Sequence, residues 1–244
     1  TFLTQPSRLL LHWRNKLDHM GFDAIRALTN RRFLSKCIAR ANAVKCAACQ
    51  AGKQIKKPAS RKGKIIGDTV RKPGDLIHMD QAQSSTPGRP LIYSGKNSKQ
   101  KIFYVTVFVD SISKKVFVEF HNSTGAKEAI AAKHNMERDA YMSGVKIKSF
   151  RADNGIFKSE EFRLELKNNA QDITYCGVGA HHQNGIAERY IRTMVEKART
   201  VLLNAHARWP DAIKMELWTF TLRHVVTKWN NTPRPDLGFR TPAD

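Results

Sequence analysis

Three acidic residues, Asp80, Asp153 and Glu188, stand at positions where their carboxylates could bind a metal ion together. Asp80 and Asp153 each follow an apolar run rich in β-forming residues, and Glu188 follows a glycine-containing loop at the start of a long helical pattern. Side chains at a strand end are backed by rigid structure, so three carboxylates that converge there would make an oxygen cage for a hard divalent cation, magnesium or manganese. We therefore take these three residues as the candidate catalytic and metal-binding group.

Each carboxylate also has a purely structural interpretation. An aspartate after a strand is commonly a turn or capping residue, and a glutamate in a first helical turn commonly complements the positive end of the helix dipole. The apolar residues after Gly185 recur at helical spacing and place Glu188, Arg192 and Arg199 at the edge of the core-facing stripe. A carboxylate at that edge faces a groove, and the three carboxylates together favour the metal site.

The elements that must position these carboxylates begin at residue 74. The patterns predict, in chain order, three strands, a helix, a strand, a helix, a strand and two helices. They cover residues 76–80, 101–110, 115–120, 124–142, 145–152, 159–168, 172–175, 185–205 and 210–233. Residues 84–99, rich in Ser, Gly, Pro and Lys, predict a loop between the first two strands. This order describes an α/β fold, a mixed sheet flanked by helices.

The composition changes along the chain and divides it into four parts. Residues 5–20 and 22–36 carry helical periodicity, which predicts a small helical unit ahead of the sheet. The parts are a helical segment at 1–52, a basic linker at 53–73, the sheet-and-helix core at 74–232 and a truncated tail at 233–244. Because the chain starts at Thr1 without an initiator methionine and stops in a loop-like stretch, we expect it to be a piece of a longer polyprotein.

The charge of the chain indicates a polyanionic partner. Lys and Arg number 42 against 21 Asp and Glu, for a net charge of +21, and a hydrophobic content of 41% is enough to bury a core. Nucleic acid is therefore the expected partner. The sequence contains no apolar run of about 18 residues and no signal-peptide pattern, so neither feature points to a membrane. The basic residues expected to contact phosphates are Lys53, Lys56, Lys57, Arg61, Lys62, Lys64, Arg192 and Arg199.

The amino-terminal segment contains a second set of candidate metal ligands. Cys46 and Cys49 form a Cys-x-x-Cys pair whose short spacing lets both thiolates reach one zinc ion, and His12 and His19 could complete the set. On a continuous helix, however, the two histidines would lie two turns and about 10 Å apart, which is too far to share an ion. The alternatives are a zinc site and a helical hairpin with an unused cysteine pair.

Four motifs of the core resemble, in the same order, those of the integrases of copia-type retrotransposons, within the retroviral integrase superfamily with its ribonuclease-H-like fold. The motifs are Ile77-His78-Met79-Asp80, Phe108-Val109-Asp110-Ser111, Arg151-Ala152-Asp153-Asn154-Gly155 and Gln183-Asn184-Gly185-Ile186-Ala187-Glu188-Arg189. The last of these is very specific. The stretch 46–53 resembles the end of the zinc-binding segment that precedes the core in copia-type polyproteins.

The resemblance implies a function for the three carboxylates. They would be the metal-binding acidic triad of an integrase, an enzyme that transfers the 3′ ends of element DNA into target DNA. Asp110, by its position, is an ordinary strand end, and we do not take it as a ligand. The motif residues Gln183, Asn184 and Arg189 would contact the DNA. The resemblance further implies a homo-oligomer on DNA and a nuclear location after a particle stage in the cytoplasm.

The sequence departs from the family pattern in the zinc-binding segment. The family motif Trp-His-x-x-Leu-Gly-His stands here as Trp13-Arg14-Asn15-Lys16-Leu17-Asp18-His19. Arginine cannot coordinate a metal ion, and His12 is badly spaced to replace the missing histidine. We therefore predict that this segment does not hold zinc with four protein ligands. In addition, the spacing between Asp153 and Glu188 is one residue shorter than in the family.

Three functions remain open on the sequence. The intact triad favours an active polynucleotidyl transferase that carries out DNA integration. The altered zinc motif favours a catalytically silent, DNA-binding remnant of such an integrase. A ribonuclease of the same fold would need a fourth nearby carboxylate, which the sequence does not locate.

Overall fold

The computed structural model describes residues 4–42, 44–52, 72–91, 99–153, 155–176 and 184–244. In this part of the chain, five strands form one mixed sheet in the order β3-β2-β1-β4-β5. The strands are β1 (Ile77–Gly88), β2 (Ile102–Asp110), β3 (Val116–His121), β4 (Ser149–Ala152) and β5 (Asp172–Tyr175). β1, β2 and β3 pair antiparallel, whereas β4 and β5 run parallel to β1.

Helices cover both faces of the sheet, so the α/β fold expected from the sequence is confirmed. They are α1 (Gln5–Lys16), α2 (Phe22–Asn30), α3 (Ala47–Gly52), α4 (Ala126–Met142), α5 (Glu160–Asn168), α6 (Gly185–Arg208) and α7 (Trp218–Asn230). Short 3-10 helices lie at Lys36–Arg40, Ile156–Lys158, Met215–Leu217 and Pro235–Leu237. Among the described helices, none is long and apolar enough to cross a bilayer.

The two faces of the sheet carry separate apolar layers. One layer packs beneath α4 and α5 and includes Ile77, Met79, Phe108 and Phe150. The other packs beneath α6 and α7 and includes Val105, Val107, Val109, Val116, Met194 and Leu222. In β2, Val105, Val107 and Val109 are buried, whereas Phe103 is partly exposed.

β1 is longer than the sequence predicted. Residues 84–88 continue the strand instead of starting the loop predicted at 84–99, and Gly88 lies opposite Ile102 after an irregularity in the pairing. The indole N–H of Trp218 donates to the Thr86 carbonyl (3.0 Å). A Cβ at Gly88 would lie 2.7 Å from the Trp218 Nε1 atom, so glycine lets the start of α7 pack directly on this strand.

Several helix ends differ from their predicted positions. α4, predicted from residue 124, begins at Ala126 directly after Gly125, and the Ser123 hydroxyl donates to the Glu128 carboxylate (2.6 Å). α7 begins only at Trp218, so the predicted helix at 210–233 lacks its first turns. β4 is likewise shorter than the predicted strand, because it begins at Ser149.

The amino-terminal unit, residues 4–52 without residue 43, has an apolar core of its own. The buried residues of this core are Leu10, Met20, Ile25, Ile38 and Ala41. α1 stops at Lys16, short of its predicted end, because Asp18 and His19 adopt left-handed backbone angles (φ 50° and 58°). The linker predicted at 53–73 lies, up to residue 71, outside the described residues.

The amino-terminal unit contacts the helices on one face of the sheet. α3 packs on α6, where a Cβ at Gly52 would lie 2.2 Å from the Thr200 hydroxyl. The Asp18 carboxylate pairs with His224 of α7 (2.9 Å), and Arg31 donates to the Phe239 carbonyl (3.1 Å). The unit therefore shares α6 and α7 with the sheet.

Candidate metal-binding active site

The register of the sheet brings Asp80 and Asp153 side by side. β1 and β4 pair in parallel, with Ile77 opposite Phe150 and His78 opposite Arg151. The same register, continued past the last paired residues, sets Asp80 beside Asp153. Because neighbouring strands lie about 4.8 Å apart, two side chains at such positions are close neighbours on one face.

The alternation of side chains shows which face the two aspartates share. Met79 and Ala152 belong to the apolar layer beneath α4 and α5. The next residue in each strand, Asp80 or Asp153, must then point to the opposite face. Val107, the partner of Asp80 in β2, belongs to the layer beneath α6 and α7. The two aspartates therefore face the helix that carries Glu188.

The start of α6 is tied to the strand that carries Asp80. Asn184 precedes the helix and is buried, and its side-chain amide donates to the Met79 carbonyl (3.2 Å). Glu188 follows about one turn later and is partly buried. This hydrogen bond joins the helix to the residue directly before Asp80. It thus places the Glu188 carboxylate over the same end of the sheet as the two aspartates.

Local hydrogen bonds orient the two aspartates. Asp80 Oδ1 accepts from the Gln81 backbone N–H (2.8 Å), and Asp153 Oδ1 accepts from the Gly155 backbone N–H (3.1 Å). Carboxylate oxygens are the ligands that magnesium and manganese prefer, so the chemistry of this donor set fits such an ion.

Cys176 is a neighbour of the carboxylates that the sequence analysis did not identify. It directly follows β5, and its backbone N–H donates to the Ala152 carbonyl (3.1 Å). Burial raises the pKa of the Cys176 thiol, and the negative charges of Asp153 and Glu188 raise it further, against the opposing effect of Arg151. One thiol thus lies within electrostatic reach of a carboxylate from the sheet and a carboxylate from α6. In the sequence, only the position of Cys176 directly after a predicted strand could have indicated that it lies near the carboxylates.

The carboxylates are neighbours but are not drawn together to coordination distance. In the part of the chain that the structure describes, ligand atoms of three residues all lie within 4.8 Å of one another at one place, which His19, Cys46 and Cys49 form. Carboxylates repel one another, and a divalent cation between them would remove that repulsion.

Three of the predicted DNA contacts, Arg189, Arg192 and Arg199, are exposed along α6. Asn184 is buried, and its side-chain amide holds the start of this helix to β1. The DNA contact predicted at Asn184 stays a prediction, and the structure gives its amide a role within the fold. The other predicted contacts, Gln183, Lys53, Lys56, Lys57, Arg61, Lys62 and Lys64, lie outside the described residues.

Asp110 has a structural role at the end of β2, where the sequence analysis placed it. It is buried, and its carboxylate accepts hydrogen bonds from the backbone N–H groups of Gly74 (2.7 Å), Ile112 (2.9 Å) and Ser113 (2.6 Å). These bonds hold the turn between β2 and β3 and fix the segment that leads into β1. Most of its acceptor capacity is used inside the fold.

The second candidate site joins three of the four predicted zinc ligands. The Cys46 thiol lies 3.2 Å from His19 Nδ1, and Cys49 completes the cluster. His12 is exposed, and its ring lies against the Trp13 ring with centroids 5.9 Å apart. His12 is not part of the cluster that the described residues form, as its spacing predicted, because α1 is regular at this point and carries His12 on its outer side.

Arg14 occupies the remaining side of this cluster. Its guanidinium donates to the Cys49 thiol (3.2 Å) and to the Met20 carbonyl (2.9 Å), and it lies 4.2 Å above the Phe22 ring centroid. Burial by itself would raise the pKa of the Cys46 thiol, but hydrogen bonds from Cys49 and the charge of Arg14 outweigh it and lower this pKa.

Comparison of structures identifies the class of fold. A chain of the simian T-cell lymphotropic virus intasome, solved in complex with PP2A regulatory subunit B56 gamma, has a TM-score of 0.52 with this chain at 16% identity, over 98% of this chain and 70% of that one. The HTLV-2 integrase catalytic core domain in complex with magnesium has a TM-score of 0.47 at 18% identity, over 70% and 94%. The TM-score of 0.52 with the intasome chain, together with the mixed five-stranded sheet flanked by helices, shows a ribonuclease-H-like fold.

Comparison of sequences adds a particular relative. The chain is 26% identical over 238 residues to the "Retrovirus-related Pol polyprotein from transposon TNT 1-94" of Nicotiana tabacum. The match covers 94% of this chain and 16% of the length of that polyprotein. No family model matches. The resemblance to the integrase region of a copia-type retrotransposon polyprotein, expected from the four motifs, is confirmed.

Proposed function

We propose that this chain is a metal-dependent polynucleotidyl transferase that inserts the DNA ends of a retrotransposon into target DNA. One observation carries the proposal. The parallel pairing of β1 and β4 sets Asp80 beside Asp153 on the face covered by α6, and Asn184 fixes the start of that helix beside Asp80. One acidic group would then form from Asp80 within β1, Asp153 directly after β4 and Glu188 in the first turn of α6.

The acidic group suits phosphoryl transfer because each part has a defined task. Magnesium or manganese held by Asp80, Asp153 and Glu188 would supply positive charge to the attacking hydroxyl and to the departing oxygen. The rigid strands hold the aspartates at a fixed separation, and α6 brings Glu188 to them. In the reaction, a 3′ oxygen of element DNA forms a bond to a target phosphorus, and the bond from that phosphorus to the target's own 3′ oxygen breaks.

Binding of DNA is assigned to the basic residues beside this group. Arg189, Arg192 and Arg199 are exposed along α6, which starts at the acidic group, and the chain carries a net charge of +21. Such contacts act through phosphates and weaken as the salt concentration rises. We extend the proposal to a homo-oligomer on DNA, to release from a longer polyprotein, and to a nuclear place of action after a particle stage in the cytoplasm.

A strand-transfer assay tests the proposal directly. The full chain is incubated with oligonucleotides that carry the element ends and with a target plasmid, in magnesium and in chelator. Glu188→Gln keeps the shape of the side chain and removes its charge. We expect it to retain DNA binding and to lose strand transfer by about a thousandfold or more. Glu161→Gln, an exposed change in α5, is the matched control and should leave both unchanged.

The alternative of a catalytically silent remnant makes a different prediction. A remnant would bind the oligonucleotides with the same salt dependence but would join none of them in magnesium or in manganese. That outcome, obtained with folded wild-type protein, would refute the proposed enzymatic function and leave the DNA-binding function.

A further inference from the structure

The amino-terminal unit contains a cluster of potential metal ligands with a positively charged side chain, Arg14, beside it. His19, Cys46 and Cys49 converge within 4.8 Å, and the guanidinium of Arg14 lies against them at 3.2 Å from the Cys49 thiol. We infer that Arg14 takes the place of a metal ion in this cluster, so that the amino-terminal unit is held together without zinc. This inference concerns only the amino-terminal unit and is independent of the proposed catalytic function.

Arg14 links the same segments that a metal ion would link. It starts from α1, reaches Cys49 in α3 and donates to the Met20 carbonyl in the turn that precedes α2. Its charge also lies over the Phe22 ring of α2. One buried side chain, 9% exposed, thus joins α1, the turn, α2 and α3. A bound zinc ion draws its ligands together in the same way, through one centre that contacts several segments.

The same position of Arg14 opposes the binding of zinc. A structural zinc ion takes four ligands at about 2.0–2.3 Å, and this cluster offers only three. The fourth side is filled by a guanidinium, which has five N–H donors and no lone pair to give to a metal. A divalent cation bonded to the Cys49 sulfur would lie close to a permanent positive charge. Both the number of ligands and the electrostatics therefore disfavour the ion.

The unit also has other sources of stability. Leu10, Ile25 and Ile38 are fully buried in its core. α3 packs on α6 at the contact between Gly52 and Thr200. Small units usually need a metal or a disulfide because their cores are small. This one is supported by a larger neighbour, so the loss of a metal ion does not leave it without stabilising contacts.

The test is to restore the missing ligand. Arg14→His replaces the guanidinium with an imidazole that projects from the same position of α1. All proteins carry Cys37→Ser, because Cys37 is an exposed thiol that could bind zinc by itself. Lys16→His, an exposed change in the same helix, is the matched control, and Cys46→Ser in the Arg14→His protein removes a ligand again. Zinc content is measured after dialysis, and thermal unfolding of the full chain is followed with zinc and with chelator.

We expect the wild-type chain and the Lys16→His chain to retain no zinc and to unfold at the same temperature with zinc and with chelator. The Arg14→His chain should retain about one zinc ion per chain and unfold at a higher temperature in zinc, and Cys46→Ser should abolish both effects. A wild-type chain that holds one zinc ion and unfolds earlier in chelator would overturn the inference. So would an Arg14→His chain that gains no response to zinc, because Arg14 would then not be what excludes the ion.

Discussion

The two candidate metal sites of this chain differ in what positions their ligands. Asp80 and Asp153 are set by the pairing of two parallel strands, and Glu188 by a helix bonded to one of those strands. The His/Cys cluster depends on a left-handed turn at Asp18 and His19 and on the short helix α3. The first site thus rests on the main sheet of the fold, and the second on local turns of a small unit.

This difference predicts how each site responds to a single substitution. Changing one side chain in the sheet-borne site leaves the backbone in place, so chemistry is lost while the fold persists. In the cluster, one changed residue, Arg14, bonds to the groups that surround it and alters what the site can hold. The following predictions test this contrast between a catalytic site and a structural one.

The largest effect is expected at the aspartates. Asp80→Asn and Asp153→Asn each remove a charged metal ligand with almost no change of shape, so we expect strand transfer to fall by about a thousandfold or more. Magnesium should raise the unfolding temperature of the wild-type chain and have a smaller effect on either variant. Asp172→Asn, exposed on β5, is the matched control and should behave as wild type. Unchanged activity in either variant would remove that residue from the site.

A large loss of stability, without a specific loss of catalysis, is expected at Arg14. Arg14→Ala leaves a buried thiol and the Met20 carbonyl without their donor, so the free energy of unfolding should fall by about 3 kcal/mol. Lys16→Ala, in the same helix but exposed, should change it by less than about 0.5 kcal/mol. Urea denaturation at neutral pH measures both values. Equal values for the two variants would show that the Arg14 contacts do not stabilise the unit.

A smaller effect is expected at the turn that positions His19. Asp18 holds a left-handed backbone (φ 50°), which glycine adopts without strain, but its carboxylate also pairs with His224 (2.9 Å). In a His224→Ala background that pair is absent, and Asp18→Gly should raise the free energy of unfolding by about 1 kcal/mol. In the wild-type background the gain should be smaller. An identical gain in both backgrounds would mean that the ion pair contributes nothing.

The smallest expected effect is a difference between the two sites in the pH at which their thiols react. The pKa of Cys46 is lowered, because hydrogen bonds from Cys49 and the charge of Arg14 outweigh its burial, whereas burial and two carboxylates raise the pKa of Cys176. The thiolate is the reactive form, so alkylation of Cys46 should set in at a lower pH than alkylation of Cys176. Mass spectrometry of the Cys37→Ser chain across a pH series, in chelator, gives the order. The reverse order would contradict the assigned environments.

The sequence was most informative where a long pattern and a motif coincided. The strand runs ending at Asp80 and Asp110, and the apolar stripe of α6, predicted the sheet and the helix that carries Glu188, because strand and helix periods repeat over many residues. The continuation of β1 to Gly88 was missed. Its residues are typical of a loop, and only the contact with the start of α7 makes them a strand.

The His/Cys cluster shows why the rest could not be predicted. The histidine spacing argued against a shared ion on a continuous helix, but the chain leaves the helix at Lys16 and turns His19 back toward Cys46. A turn of two left-handed residues at Asp18 and His19 has no strong sequence signal. The contacts of Arg14 and the position of Cys176 likewise depend on packing between distant segments.

Helix α6 has a further consequence through its length. It runs for 24 residues, about 36 Å, with Glu188 in its first turn and Thr200 three turns further on, where Gly52 leaves no room for a Cβ. The helix therefore connects the packing of α3 at Thr200 to the position of the Glu188 carboxylate. A side chain added at position 52 would displace α6 at Thr200, so a substitution in the amino-terminal unit would shift a carboxylate of the candidate catalytic group.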